Sequence, residues 1–518
     1  MTNLGATAVW GNKTRGERHS RLLSEVVTDF SRLEALSSDW ARLRRAGPRQ
    51  DVFNTFAWAR AYWRAYGARC SLYTPVVFEG DEVVGILPLV VENGTLRFLG
   101  SVHSDYNDLL CAGNAVADVL EAALWALFEQ PMPWDRGVIE NIPEHSIICE
   151  QLGRLPGRLR MRLQLAFSSL CPSVVFSSGA GDGLKSILKK KSLCRHEKNL
   201  QKLGEVTFRH LDSREEMQSH LPGLFRQHIA RRALDGDESI FCEKEARRFY
   251  RELVDELDPR GELRFAVLEL NGRPIAYHLG FESDGKFLWY KPTFDVNLWE
   301  HSPGEVLIKR LFEYVGSRDL HEFDFAVGNE TFKSRFANRF HRNYRLYLFH
   351  SWPRSIARKI FAQAKDWVKE YPRLHQALKI FQDSAGKVFV KTSCAIKKHG
   401  PLGVTKVALL IAFRSLILRY DEVIVFSFDG VAEPVDSKVG GQQVEAGTLA
   451  DLAYLSKEHS THFTQSLFKN AKDRLKNGDK VYIARNGESC IHVTWTRVRK
   501  EITAAYEIGT DCRVGLDS

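Results

Sequence analysis

Ser302-Pro303-Gly304-Glu305 opens the stretch of this chain best suited to holding an anion. Ser302 has the character of a helix N-cap, Pro303 fits the first helical position, and Glu305 three residues on completes a capping box. Leu307, Leu311 and Val315 then recur at four-residue spacing, the apolar face of a helix. A helix start presents free backbone N–H groups and partial positive charge, which favour a phosphate. Gly304 lacks the Cβ that would hinder close approach. The same four residues also make a sufficient helix start with no second task, and the Glu305 carboxylate competes for the same donors.

Several neighbours in sequence carry groups that can move protons. A neutral imidazole at His278, on a predicted strand, can act as a base or serve as a hydrogen-bonded structural residue. Asp324 lies between Phe323 and Phe325, so partial burial is expected to raise its pKa into the range of a base; the alternative is an acceptor for loop N–H groups. A phenol at Tyr290 can protonate a leaving group, or simply pack. Lys291 and Lys333 can meet phosphates or an anionic substrate, or remain solvated.

The elements that must position these residues form a repeated pattern. "LRFAVLEL", "IAYHLGFE" and "FLWYKPTF" read as three strands joined at Asn271-Gly272 and Ser283-Asp284-Gly285, followed by the helix from Ser302 and the strand "EFDFAVG". Earlier, "LYTPVVFE", "EVVGILPLVV" and "TLRFLG" are joined at Gly80-Asp81 and Asn93-Gly94, with a helix "NAVADVLEAALWALFEQ" after them. "DVFNTFAWARAYWRAYG" is an aromatic-rich helix. "LKSILKKKSLCRHEKNLQKLGEV" reads as one basic helix, and a second helical region covers about Glu215 to Leu257. "VYIARNGESCIHVTWTRV" repeats strand, Asn-Gly, strand once more. A domain-sized repeat suggests duplication. The expected organisation is a flexible tail over 1–25, a first domain over 26–175, a second over 176–350, a basic helical linker over 351–420 and a partial unit over 421–518.

The 518 residues carry a net charge of +9, which favours anionic partners: phosphorylated cofactors, acidic lipid surfaces or nucleic acid. The densest basic run is Lys189, Lys190, Lys191, Arg195, His196, Lys198 and Lys202. It is either a solvated helix face or a docking surface for a CoA phosphate, an anionic sugar or tRNA. No aromatics interleave it as in a single-strand binder. The nine cysteines form no CxxC pair, which reads as reduced thiols in a cytoplasmic protein without a zinc site. "VALLIAFRSLILRY", interrupted by Arg414, is too short to span a bilayer. It reads as an amphipathic helix packed on a domain, with peripheral membrane contact as the alternative.

Taken together, these motifs resemble the GNAT-related acetyltransferases associated with bacterial cellulose and exopolysaccharide synthesis. The matching positions are Tyr290, Phe294, Asp295, Ser302-Pro303-Gly304, Leu307, Phe323-Asp324-Phe325, Gly328, Glu330 and Lys333. Upstream, "FNTFAWARAYWRAYG", "GILPLV", "FLGSVHSDYND" and "KKKSLCRHEKNLQKLGEV" are similar as well, so the likeness runs from about Val26 to Tyr347. It implies an α/β (α+β) fold: tandem GNAT-like acyl-CoA N-acyltransferase folds, with mixed, mostly antiparallel sheets flanked by helices. The C-terminal unit resembles a partial third copy that stops before any cofactor helix.

The resemblance further implies direct attack of an amine or hydroxyl on the thioester of acetyl-CoA or another acyl-CoA, with no metal. Such chemistry needs a base, donors for the oxyanion and an acid for the thiolate. His278, Asp324 and Tyr290 are the catalytic candidates. Ser302, Pro303, Gly304, Lys291 and Lys333 are the candidates for the cofactor. Asp105 and Tyr106 are implied to line a cleft for the acceptor, a small molecule or saccharide; their local alternative is a polar turn. The first domain is expected to be degenerate. The usual Gln/Arg-x-x-Gly-x-Gly/Ala loop is absent, with Ser-Pro-Gly in its place. The chain is also similar to Fem-type aminoacyltransferases, whose donor is charged tRNA. That gives one rival function, and a non-catalytic GNAT-like binding or scaffold protein gives another.

Overall fold

The computed structural model describes residues 22–350, apart from 49, 113–114, 130–131, 177–180, 236, 258–260 and 329. Beyond these it describes 438–439, 442–452, 471, 474–476, 478–486 and 489–496. The basic region 351–420 and the apolar stretch from Val407 lie outside the described residues. Two compact units result: 1–351 with 447–477, and 352–446 with 478–518.

The first half of the larger unit holds β1 (Leu22–Val27), α1 (Phe30–Ala35), α2 (Ser37–Ala46), α3 (Phe56–Tyr66), β2 (Ser71–Leu72), β3 (Thr74–Glu79), β4 (Glu82–Ile86), β5 (Leu89–Glu92), β6 (Thr95–Phe98), β7 (Leu110–Cys111), α4 (Val116–Ala126), β8 (Arg136–Pro143), α5 (Ile147–Gln151), α6 (Gly157–Arg160) and β9 (Leu163–Val175). The second holds α7 (Gly181–Leu188), α8 (Lys191–Gln201), β10 (Val206–His210), α9 (Arg214–Leu234), α10 (Lys244–Glu256), β11 (Leu263–Leu270), β12 (Arg273–Ser283), β13 (Lys286–Phe294), α11 (Pro303–Ser317), β14 (Glu322–Asp324), α12 (Thr331–Ser334) and β15 (Arg339–Leu348).

The turns follow from local chemistry. Asn93-Gly94, Asn271-Gly272 and Asp284-Gly285 all have positive φ at both positions, as a two-residue hairpin turn requires. The Thr55 hydroxyl accepts from the Trp58 N–H and starts α3. Three expectations need correction. The strand read through "EVVGILPLVV" is broken at Leu87-Pro88, because proline has no N–H for the ladder, and β4 and β5 enter different sheets. The basic helix is two helices, α7 and α8, parted where Lys190 takes an extended ψ of 122°. The helical region from Glu215 emerges as expected, as the two helices α9 and α10. Residues 22–25, placed in the expected tail, belong to a strand: β1 begins at Leu22 and pairs along β3, and its polar alternation hides it in the sequence.

The two halves are not separate domains. One 11-stranded sheet runs β10-β11-β12-β13-β14-β9-β15-β8-β6-β5-β2, beside a four-stranded sheet β1-β3-β4-β7. β9 of the first half pairs with β14 of the second, and β15 inserts between β9 and β8. A shared core joins them further. The Trp58 ring on α3 packs edge-on against Phe249 on α10 at 5.0 Å, and Trp58, Tyr62, Phe249, Tyr250 and Phe281 are all buried. Each such large side chain contributes about 1.5–3 kcal/mol by leaving water.

In the smaller unit, a four-stranded sheet has the order β16 (Lys438–Val439), β17 (Gln442–Gly447), β18 (Lys480–Asn486) and β19 (Ser489–Thr496). β18 and β19 form the antiparallel hairpin read from the sequence.

Candidate active site

The central strands of the second half open where chemistry was expected. β13 and β14 run parallel and pair only over Lys286–Leu288 and Glu322–Asp324. Beyond that point β13 continues to Phe294, whereas Phe325 and Gly328 bond back toward β9 through the carbonyls of Pro172 and Leu170. Among the described residues no backbone bond closes the gap between 290–294 and 325–328. The start of α11 borders the same strand: a Cβ at Gly304 would come 3.3 Å from the Phe294 ring.

That helix start does not form the expected capping box. Ser302 sits in the left-handed region at φ 52°, and its side chain makes no cap bond. Its carbonyl takes the N–H groups of Glu305 and Val306, leaving the Gly304 N–H without a partner among the described residues. The Glu305 carboxylate turns away to a two-pronged pair with Arg335, at 3.0 and 2.8 Å. Glu305 therefore does not compete for the Gly304 N–H. Arg231 of α9, which sequence reasoning missed, lies over the Phe294 ring at 5.4 Å and donates to the Pro292 carbonyl.

Asp105 of the first half and Lys291 and Lys333 of the second lie near enough for their charges to act on one another. Asp105, on the loop after β6, is half-buried, and its carboxylate has no hydrogen-bond or ion-pair partner among the described residues. Burial raises its pKa; Lys291 and Lys333 oppose that rise and Glu330 adds to it. The Lys291 ammonium lies 3.9 Å from the Tyr290 ring centroid, with no carboxylate at ion-pair distance among the described residues. Burial lowers its pKa, and Asp105 opposes the fall. A carboxylate and an ammonium, each without an ion-pair partner among the described residues, thus lie near one another. Lys333 is differently employed: it is buried, pairs with Glu330 at 2.8 Å and donates to the Val327 carbonyl, buckling its own loop.

Of the three catalytic candidates, Tyr290 and Asp324 are engaged in hydrogen bonds, and His278 is sealed in the core with its Nδ1 unpartnered among the described residues. His278 is fully buried, stacked on Phe287 and Trp289, and its Nε2 accepts the Tyr290 backbone N–H. Burial, with His210 adding to it, holds its pKa well below the ordinary value, so it is a neutral structural imidazole on the side of the sheet away from Tyr290. Asp324 accepts the Tyr106 hydroxyl on both oxygens, at 2.8 and 2.9 Å, and the Ala326 N–H at 2.8 Å. It latches the halves together. The Tyr290 hydroxyl gives its one proton to the His103 carbonyl at 2.5 Å, so Tyr250 donates to Tyr290 in their 2.8 Å contact. A phenol so engaged has no proton to offer a thiolate. The fold brings Asp105, Tyr106, Tyr290, Lys291, Asp324 and Lys333 near one another and sets Gly304 beside the Phe294 ring. His103 and Tyr250 were missed because their roles come from contacts across the chain; only "GSVHSDYND" itself carried a signal.

Among the described residues, no helix is long and apolar enough to cross a membrane, and no cluster of three or more His, Cys, Asp or Glu is placed to hold a metal.

Residues 189–334 match a family model described as an acetyltransferase (GNAT) domain, which spans α8 to α12 and so contains the splayed strands and the α11 start. Comparison with curated proteins gives no match. Among solved structures, FemX is similar over 59% of this chain and 95% of its own, at 9% identity and a TM-score of 0.42. A tandem GNAT protein from the clavulanic acid biosynthesis pathway is similar over 64% and 99%, at 12% identity and a TM-score of 0.40. The C-terminal domain of a putative lysylphosphatidylglycerol synthetase from Agrobacterium fabrum is similar over 64% and 95%, at 10% identity and a TM-score of 0.40.

Proposed function

We propose that this chain is an acyltransferase that moves an acyl group, acetyl in the simplest case, from acyl-CoA to an amine or hydroxyl. The observation that carries this reading is the splay of β13 and β14 inside the GNAT-matching region, beside an Asp105 carboxylate and a Lys291 ammonium that have no ion-pair partner among the described residues. The pantetheine would lie in the splay, with a phosphate at the Gly304 N–H. Arg231, close by on Phe294, adds positive charge there.

In the reaction, the acceptor nitrogen or oxygen attacks the thioester carbon while Asp105 takes its proton. Lys291 offers positive charge to the oxyanion of the tetrahedral intermediate. The C–S bond then breaks, the carbonyl re-forms, and CoA leaves as a thiolate that recovers a proton from Asp105 or water. No enzyme nucleophile is needed. The choice of a sugar or polysaccharide precursor as acceptor rests on the family resemblance alone. The test is mass spectrometry of acetyl-CoA turnover against a panel of amines and amino sugars. The expected result is CoA release matched by acetylated acceptor, with no acetylated enzyme.

One observation favours a second reading, in which the donor is aminoacyl-tRNA. Lys191, Arg195, Lys198 and Lys202 are exposed at i, i+4, i+7 and i+11 along α8, with no carboxylate partner among the described residues. Salt-sensitive tRNA binding together with no acyl-CoA binding would select it. Failure of both ligands to bind would instead favour a non-catalytic role.

A further inference from the structure

The first half contains a second strand splay, and it is closed. β6 and β8 run parallel like β13 and β14, and pair only at Thr95–Arg136 and Leu96–Gly137. The loop leaving β6 then bonds to the stretch of β8 that β6 no longer reaches. Asn107 donates its backbone N–H to the Asn141 carbonyl at 2.8 Å and its side-chain amide to the Glu140 carbonyl at 2.9 Å. The loop is fixed at both ends. Gly100, at φ +89°, sits so close to Trp58 that a Cβ would come within 2.7 Å of the indole nitrogen. Asp108 accepts the Ile147 and Ile148 N–H groups at the start of α5.

Between those anchors, four successive residues are each held by a different strand. The His103 carbonyl accepts from Tyr290 on β13 at 2.5 Å, the Ser104 carbonyl from Asn141 on β8 at 2.7 Å, and the Asp105 carbonyl from Asn343 on β15 at 2.9 Å. The Tyr106 hydroxyl reaches Asp324 on β14. Asn343 and Tyr290 are buried, and Asn141 adopts φ +55° to make its contact. Every restraint falls on the backbone around Asp105 or on the next side chain, and none on the Asp105 carboxylate.

We propose that Tyr290, Asn141 and Asn343 are positioning residues: they clamp the loop that plugs the first splay, and so hold the Asp105 carboxylate, without a partner of its own among the described residues, at the second. This rests on the reading of Asp105 as the base. The first half's open edge thus becomes the mount for the second half's proton acceptor, and the two halves make one site. Three donors on three strands over-determine one backbone position, which is what catalytic geometry requires; a displacement of about 1 Å can cost on the order of a hundredfold in rate.

Tyr290→Phe and Asn141→Gly test this, the first also removing the acceptor of the Tyr250 hydroxyl. The first keeps the ring, and the second keeps a residue that tolerates positive φ. For each, kcat is expected to fall about tenfold or more with KM for acetyl-CoA unchanged. The acid limb of the kcat–pH profile should move down toward the ordinary aspartate range as the loosened carboxylate gains water. Hydrogen–deuterium exchange of the 103–106 amides should rise in the same samples. Lower melting temperatures with unchanged kcat, pH limb and exchange would overturn the proposal, leaving only a packing role. A wild type that turns over no acceptor would sink the acyl-transfer reading and with it Asp105 as base, while unchanged exchange in the variants would sink the clamp itself.

Discussion

Replacing Asp105 by asparagine keeps the shape of the side chain and removes its charge, and the account requires opposite effects on activity and stability. As general base, Asp105 is worth about 10²–10⁴ in rate, which corresponds to about 3–5 kcal/mol in the barrier. Burial makes its charged form costly, and the attraction of Lys291 and Lys333 offsets only part, so its folded pKa stands above the unfolded value. A carboxylate shifted upward contributes most to stability below its unfolded pKa, and that contribution is lost as pH rises through the folded pKa. Asp105→Asn escapes this loss. The variant should melt above wild type near neutral pH, with the difference closing as pH falls below about 4. The assay is paired: kcat/KM from mass-spectrometric turnover, and thermal melts across the same pH series. Activity in the wild type should climb through a pKa above the ordinary aspartate range. A variant that keeps wild-type kcat/KM, or one that melts lower at neutral pH with the gap persisting in acid, would refute the reasoning.

Two further outcomes follow from the latches around the site. Tyr106→Phe removes a donor shared by both Asp324 oxygens, so urea midpoints should report a loss of about 1.5–3 kcal/mol, as for a hydrogen bond to a charged group. An unchanged midpoint would mean that water or another donor replaces the phenol. Burial alone would raise the pKa of Glu322 beside Asp324, but His341 and Lys286 outweigh it and hold the carboxyl at about 2. Its contribution, on the order of 3 kcal/mol, is therefore complete above the unfolded value and lost as pH falls through about 2. Stability measured against Glu322→Gln should converge over that window; a gap that stays constant would contradict it.

Much of the local structure was legible because it depends on neighbours in sequence. Asn-Gly and Asp-Gly pairs place hairpin turns, Thr55 caps α3, and the meander-then-helix order from Leu263 to Asp324 emerges as read. What was hidden depends on partners far along the chain. No local pattern shows that β15 inserts between β9 and β8, since its strand signal is the same whichever neighbours it meets. Ser302 looked like an N-cap because the motif matches, but the six-residue 3₁₀ turn Val296–His301 delivers the chain at a left-handed Ser302 and turns the hydroxyl away from the cap. Glu305 looked like a competitor for phosphate until Arg335, thirty residues on, claimed it. His278, Tyr290 and Asp324 have the residue types of a catalytic set. His278 is sealed in the core with its Nε2 on a backbone N–H, the Tyr290 proton goes to the His103 carbonyl, and Asp324 accepts from Tyr106 across the halves, whereas Asp105, read locally as a polar turn, has no partner for its carboxylate among the described residues.

The central claim is that the splay beside α11 takes acyl-CoA, and Gly304→Asp addresses it most directly. An aspartate in the first turn suits the helix dipole, so the variant is expected to fold. Its carboxylate would stand where a phosphate must approach. Thermal melts with acetyl-CoA should show a rise in the wild type, amounting to about 2.7 kcal/mol when ligand is present at a hundredfold its Kd, and no rise in Gly304→Asp. An equal rise in both proteins would place the cofactor elsewhere, and no rise in the wild type with any acyl-CoA would contradict the account.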